Sequence, residues 1–422
     1  MTSNAAQMMV DAADPRVEPD LRPPVPDTEA ESRERRKTRD NELMGQVQRL
    51  LARMRIAVIY GGNKDDEGSV LYRTHNPRSW KSYEAVASDI ADSLRRLGCR
   101  HVSLIADDMR LADRLREDNI QFAWLNTGGV QGYCAVSHAP AIMEMLGVPY
   151  VGHEPLTAGI LDSKHTFKRQ LKSFGIPTAK FVTWHAMRGP LNPLCDFDFR
   201  LEFGEYKGPY VVKPVSGRAS LNVEYVERTE DIPEVAERIF ELTQSHVLIE
   251  EFLSGREYCV AACGPLIARD GELTRLDGPF TFALVERVLQ PDEHIFTSMD
   301  KRPITGDRVR PLHPLADEPE IHALHALARQ VFVDLNLETL VRLDVRANAE
   351  GRLNVLEANP KPDLKAPVEG GVTSLIAEGL AECGMSYDDL ILSLIADRLD
   401  LVLMQRRGSA DHLQALLTNC EA

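Results

Sequence analysis

The chain has 422 residues, 43% hydrophobic and 27% charged, and carries a formal net charge of −15. That length supports two or three domains or subdomains with a sizeable core, and the acidic balance argues against a nucleic-acid or anionic-membrane partner. Cysteines 99, 134, 195, 259, 263, 383 and 420 form no CxxC pair and have no histidine at zinc spacing, which predicts reduced thiols. No apolar run approaches a membrane span, and MTSNAAQMMVDAADPRVEPD lacks the parts of a signal peptide, so a soluble cytoplasmic protein is expected.

Residues 1–40 are rich in Pro, Glu, Arg and Asp and poor in aromatics, which predicts a disordered tail. A short helix, Asn41 to Met54, leads into an N-terminal α/β domain spanning 41–153. There RIAVIYGG reads as a buried strand ending in a glycine pair, and SWKSYEAVASDIADSLRRLG as a helix stopped by Gly98. HVSLIAD and FAWLNTGG are further short apolar runs, so strands alternating with helices predict an open, mostly parallel sheet. Residues 154–250 bring the helix DSKHTFKRQLKSFG, the segment YVVKPVSGRASLNVEYV, a helix over about 231–244 and the strand HVLIEEF. Residues 251–405 bring the strands REYCVAACG and FTFALVERVL, the helix EPEIHALHALARQVFVDLN, the hairpin LVRLDVRANAEGRLNVLEAN and a closing helix; 406–422 read as a second tail.

The hairpin carries the chemistry. Val341, Leu343 and Val345 alternate with Arg342, Asp344 and Arg346, so the polar three share a face, as do Glu357 and Asn359. A two-residue turn at Glu350-Gly351 sets Asp344 opposite Glu357 and Arg342 opposite Asn359, with Cβ atoms about 5 Å apart. Two facing carboxylates repel unless a cation resolves the repulsion, and two carboxylates plus an amide suit Mg²⁺. Arg342 on the same face suits a transferring phosphoryl group or a developing oxyanion. A magnesium site implies a phosphate cradle, and YVVKPVSGRASLN offers one: Lys213 at a strand end, then a small-residue loop from Ser216 to Ser220. It is not a Walker loop.

Taken together these segments resemble the ATP-grasp superfamily, and within it the D-alanine–D-alanine ligase-like group, over about residues 55–405. RIAVIYGG is similar to that group's first strand, MEMLGVPYVG with DSKHTFKRQLKSFGIPTAKFV to its crossing into the central domain, YVVKPVSGRASLNV to its lysine strand and phosphate loop, VLIEEFLSGREYCV to its adenine hinge, and RLDVRANAEGRLNVLEAN to its metal hairpin. The resemblance implies an α/β (α+β) ATP-grasp fold: an N-terminal parallel-sheet domain, then two ATP-grasp subdomains with ATP between them. It implies that Lys164 and Lys213 contact ATP phosphates with the loop residues Ser216, Gly217 and Ser220. It assigns Glu250, Glu251, Phe252 and Leu253 to adenine, Glu257 to ribose, Asp344, Glu357 and Asn359 to two Mg²⁺ ions (or Mn²⁺), and Arg342 to the anionic intermediate. The implied activity is carboxylate activation through an acyl phosphate followed by amine attack, in a homodimer. The SGRASLN loop and part of 286–310 are candidate lids.

The substrate-reading positions depart from the family pattern. The loop after the first strand is longer, with Asp66 or Glu67 as candidate amine ligands, and after EAN the chain reads PKPDLKAP where the family carries a Gly-Met-Thr segment. Lys361 or Lys365 would then meet a substrate carboxylate. The reading is a ligase joining amino acids or related metabolites other than two D-alanines. The alternatives are a genuine D-alanine–D-alanine ligase and an ATP-binding regulatory protein with reduced chemistry.

Overall fold

A computed structural model describes residues 29–74, 80–217, 220–296, 304–305, 307–367, 374–405 and 410–418. It opens with helix α1 (Glu29–Arg53), twelve residues before the expected start. The segment 29–40 therefore departs from the disordered-tail expectation, while 1–28 lie outside the described residues. The cause is tertiary: buried Asp40 accepts a hydrogen bond from the Arg275 main chain, and Arg36 reaches Asp277.

Strand β1 (Arg55–Tyr60) is followed by α2 (Glu84–Arg96), β2 (His101–Ala106), α3 (Leu111–Glu117), β3 (Phe122–Asn126), α4 (His138–Leu146) and β4 (Tyr150–Val151). The four strands form a parallel sheet in the order β2-β1-β3-β4. In β1, Ile56 and Val58 join the core beneath α1 and α2, while Ala57 and Ile59 join the one beneath α3 and α4. A strand covered on both faces must be apolar throughout, which is why RIAVIY lacks alternation.

Helices α5 (Pro155–Asp162) and α6 (Lys164–Ser173) lead into β5 (Phe181–Trp184), α7 (Phe197–Phe203), β6 (Tyr210–Pro214), β7 (Glu224–Val226), α8 (Ile232–Thr243) and β8 (Val247–Glu251). The second sheet is antiparallel, β5-β8-β6-β7, with α7 and α8 packed on Tyr210, Val212, Val247 and Ile249.

The third sheet contains β9 (Glu257–Cys263), then, after a hairpin of β10 (Leu266–Arg269) and β11 (Glu272–Arg275) that the sequence did not announce, β12 (Phe280–Arg287) and β13 (Val309–Pro311). Helix α9 (Glu318–Asp334), β14 (Val341–Ala347), β15 (Leu353–Asn359), α10 (Tyr387–Asp400) and α11 (Asp411–Thr418) complete the chain. The sheet order is β13-β12-β9-β14-β15, all antiparallel. One face, through Tyr258, Val260, Val341, Leu343, Val345 and Val355, packs on α6 and α9. The opposite face carries the polar residues. Helix α11 is a correction to the expected second tail: Leu413 is fully buried in the core shared with α1, and Arg53 caps the Leu416 carbonyl. Residues 406–409 and 419–422 lie outside the described residues.

Candidate active site

The site starts from the β14–β15 hairpin. Arg342 pairs with Asn359 and Asp344 with Glu357, as the alternation predicts. The turn differs. Asn348, not Ala349, stands opposite Arg352, leaving a three-residue loop closed by Gly351 at φ +79°, a conformation that favours glycine. The extra residue shifts the ladder so that Val345 meets Val355, and a bulge at Leu356 shifts it back. Two departures from the expected register cancel, and the bulge turns Glu357 away from the core face that Val355 occupies.

The polar face is a buried charge network. Asp344, whose side chain is 3% exposed, accepts from Arg342 Nε at 2.8 Å and Nη2 at 3.1 Å, from Arg287 Nη2 at 2.8 Å and from the Cys259 thiol at 3.4 Å. Burial alone would raise its pKa, but the two guanidiniums outweigh burial and hold it well below the usual carboxylate range. Arg287 also donates through Nη1 to Glu257 at 2.8 Å, and Arg346 Nη1 lies 3.4 Å from the same carboxylate. Lys164 Nζ sits 3.4 Å from Glu357. Burial opposes ionisation of Glu357, yet Lys164 and Lys213 offset both burial and the repulsion from Asp344, leaving its pKa lowered.

The second sheet supplies the opposite wall. Lys213 Nζ is 3.1 Å from Glu250 Oε1, and Lys168 Nζ is 3.5 Å from the same oxygen and 2.7 Å from the Thr178 hydroxyl. Burial pushes the Lys168 ammonium down to about 8, with Glu250 only partly restoring it; for Lys213, Glu250 and Glu357 overcome burial and raise it. Lys164 donates to the Gly217 carbonyl at 3.2 Å. Between the walls lies a cleft of about 750 Å³, lined by Lys164, Lys213, Glu257, Arg287, Asp344 and Glu357 at its polar end, with Leu253, Ile295 and Leu356 among its apolar residues.

Most sequence-predicted residues therefore converge. Gly217, Ser220, Glu250, Glu251, Phe252 and Leu253 also line the cleft. Ser220 donates to the Phe296 carbonyl at 2.9 Å, which ties the two candidate lids together; Arg218, Ala219, 297–303 and 306 lie outside the described residues. Arg342 and Asn359 are not among the cleft's lining residues, and neither is Ser216, which donates to Asp162 and lines a separate cavity with His185, His246 and Cys134. The hinge expectation also narrows: the N–H groups of Glu251 and Phe252 already bond the Lys180 and Pro209 carbonyls, so an adenine contact falls to hinge carbonyls and Leu253. Lys361 lies with Nζ 3.3 Å from the centroid of the Tyr83 ring, at the carboxyl end of the parallel sheet.

Three residues of the site were assigned no role from the sequence. Alternation places Arg346 on the Arg342–Asp344 face but says nothing of its contact with Glu257. Arg287 was hidden by an irregularity between Phe282 and Val285, where Ala283 takes φ +53°, so counting from the strand's start gives the wrong face. Lys168, four residues after Lys164, reads as a helix-surface lysine yet is fully buried.

Comparison with known proteins places this geometry. The family model for the D-ala D-ala ligase C-terminus matches residues 170–396. The chain is 25% identical over 346 residues to a D-alanine–D-alanine ligase of Aquifex aeolicus, covering 81% of this chain and all of that one. The solved D-alanine–D-alanine ligase from Bacillus anthracis complexed with ATP superposes with a TM-score of 0.58 at 21% identity, over 85% of this chain and 99% of that one. The VanG D-Ala:D-Ser ligase of Enterococcus faecalis gives 0.58 at 16% identity, over 82% and 99%. Among the described residues no helix is long and apolar enough to cross a membrane. With a family model covering more than half its length and the fold to match, the chain belongs to the D-alanine–D-alanine ligase family of ATP-grasp ligases.

Proposed function

We propose that this protein joins two small amino-acid-like substrates by an ATP-dependent carboxylate–amine ligation, and that the pair is not two D-alanines. The observation that supports the ligation is the convergence, from two sheets and a helix, of Lys164, Lys213, Glu257, Asp344 and Glu357 on one cleft. Glu257 suits the paired hydroxyls of a ribose, the apolar end suits a base, and Lys164 and Lys213 suit the phosphates. A carboxylate oxygen of the first substrate attacks the γ-phosphorus, the bond to ADP breaks, and an acyl phosphate forms. The amine of the second substrate then attacks the acyl carbon and phosphate leaves. Arg342, anchored on Asp344 through Nε and Nη2, retains Nη1 for the tetrahedral oxyanion. The tied Ser220–Phe296 loops exclude water from the acyl phosphate.

The residues fit divalent metal. Asp344, which is buried, stands opposite the partly exposed Glu357, with Asn359 one pair further on, an all-oxygen set of the kind Mg²⁺ takes. Asp344, Glu357 and Asn359 would hold two Mg²⁺ ions, or Mn²⁺ in their place, and bound metal would neutralise the phosphate oxygens.

The substrate argument rests on PKPDLKAP: Lys361, two residues past Asn359, brings an ammonium to the sheet edge where the family pattern has small and hydroxyl residues. A second reading, a D-alanine–D-alanine ligase, is favoured by the names of the relatives. Screening amino-acid pairs for ATP-dependent phosphate release separates them. Turnover with a pair other than two D-alanines supports the first reading, and efficient formation of D-alanyl-D-alanine overturns it. Tight ATP binding with no turnover on any pair would point to a regulatory protein.

A further inference from the structure

Arg287 holds two carboxylates with different assignments. Its Nη1 donates to Glu257, the proposed ribose ligand, and its Nη2 to Asp344, the proposed metal ligand, each at 2.8 Å. The side chain is 11% exposed and lies against the Phe296 ring, 5.2 Å from its centroid. A guanidinium forked across two buried anions is held at both by a chelate effect: once one arm is replaced, the other loses the orientation that the first provided.

We infer that Arg287 is a shared counter-ion that couples nucleoside binding to divalent-metal binding. The inference rests on the nucleotide reading of the cleft. Ribose hydroxyls compete with Nη1 for Glu257 Oε1, and a cation competes with Nη2 for Asp344 Oδ2. Whichever ligand arrives first displaces one arm, frees the guanidinium to rotate, and lowers the cost of displacing the other. Asp344 does not lose its charge balance meanwhile, because Arg342 remains bidentate on it. Glu257 keeps one guanidinium contact, Arg346 Nη1 at 3.4 Å. The coupling runs through protein side chains and does not depend on phosphates bridging the nucleotide to the metal.

Adenosine tests this, because it carries the ribose and base and no phosphate. Mn²⁺ binding to the full chain is followed through the paramagnetic resonance signal of the free ion, with and without saturating adenosine. The expected result is that adenosine tightens Mn²⁺ binding about 5-fold or more, and that Arg287→Gln abolishes the effect. Arg287→Lys keeps the charge but not the fork and is expected to lose most of the coupling while staying folded, as judged by circular dichroism. Adenosine that binds without changing Mn²⁺ affinity in the natural chain, or coupling that survives in both variants, overturns the inference and leaves the nucleotide reading intact. Failure of adenosine and ATP to bind at all would instead remove the nucleotide reading, and the inference with it.

Discussion

Two ion networks on the third sheet use the same strands in opposite polarity. On the α9 face, Arg256 of the loop before β9 forks onto Glu286 of β12, both arms at 2.8 Å. One residue along, on the cleft face, Glu257 receives Arg287. The α9-face group also gathers Arg310 and Asp317, and Asp317 sits at the N-terminus of α9. There each carboxylate meets two guanidiniums that are about 40% exposed, and no two acids face each other across a ladder. On the cleft face Asp344 and Glu357 are directly opposed, and Arg287 and Arg342 are only 11% and 12% exposed. Ion pairs alone do not mark a site; like charges opposed in register do, because that arrangement costs free energy unless a ligand uses it.

Matched substitutions test the contrast. The largest effect is expected for Asp344→Asn, which leaves Arg287 and Arg342 without a full counter-charge in a buried place. Urea denaturation should show a loss of about 3–5 kcal/mol, and phosphate release should vanish. Next, Arg342→Met should lower kcat of the ligation about 10²- to 10³-fold with little change in KM for ATP, because Arg342 is assigned to the intermediate; an effect confined to KM would break the assignment. Third, Glu257→Gln should raise KM for ATP while Glu286→Gln leaves ATP kinetics unchanged and lowers only thermal stability; equal effects on KM would erase the distinction between the two faces.

The smallest effect concerns pH. The Arg256 hydrogen bond, against opposing burial, lowers the pKa of Glu286, and Arg310 lowers it further. A carboxyl lowered on folding contributes stability that is full above its unfolded value, about 4.3, and is lost as pH falls towards the folded value. Glu286→Gln should therefore be less stable than the natural chain at pH 7 and approach it at pH 3, seen as a shallower acid limb in thermal unfolding. Parallel acid limbs would mean that the α9-face network contributes no pH-dependent stability.

What was legible in the sequence follows from the range of the forces involved. Alternation in VRLDVRA is local, so the polar face of β14 could be read, and Gly351 marked the turn. Face counting failed where a backbone irregularity intervened, which hid Arg287 behind Ala283. It gave the correct pair at Glu357 only because the longer turn and the bulge cancel. The helix from Glu29 and the burial of Leu413 depend on partners hundreds of residues away, such as Arg275 for Asp40, and composition cannot report those. Substrate identity stayed hidden because PKPDLKAP departs from the pattern that would decode it.

The bulge at Leu356 has a bearing on how the chain finds its fold. In an unbulged ladder grown from the same turn, Glu357 would follow Val355 onto the apolar side beneath α6. A hairpin paired that way would drive a carboxylate into hydrocarbon at a cost of several kcal/mol. The acid that makes the strand chemically useful thus also penalises its nearest misfolded competitor, and Glu357 acts as a checkpoint on register before any substrate arrives.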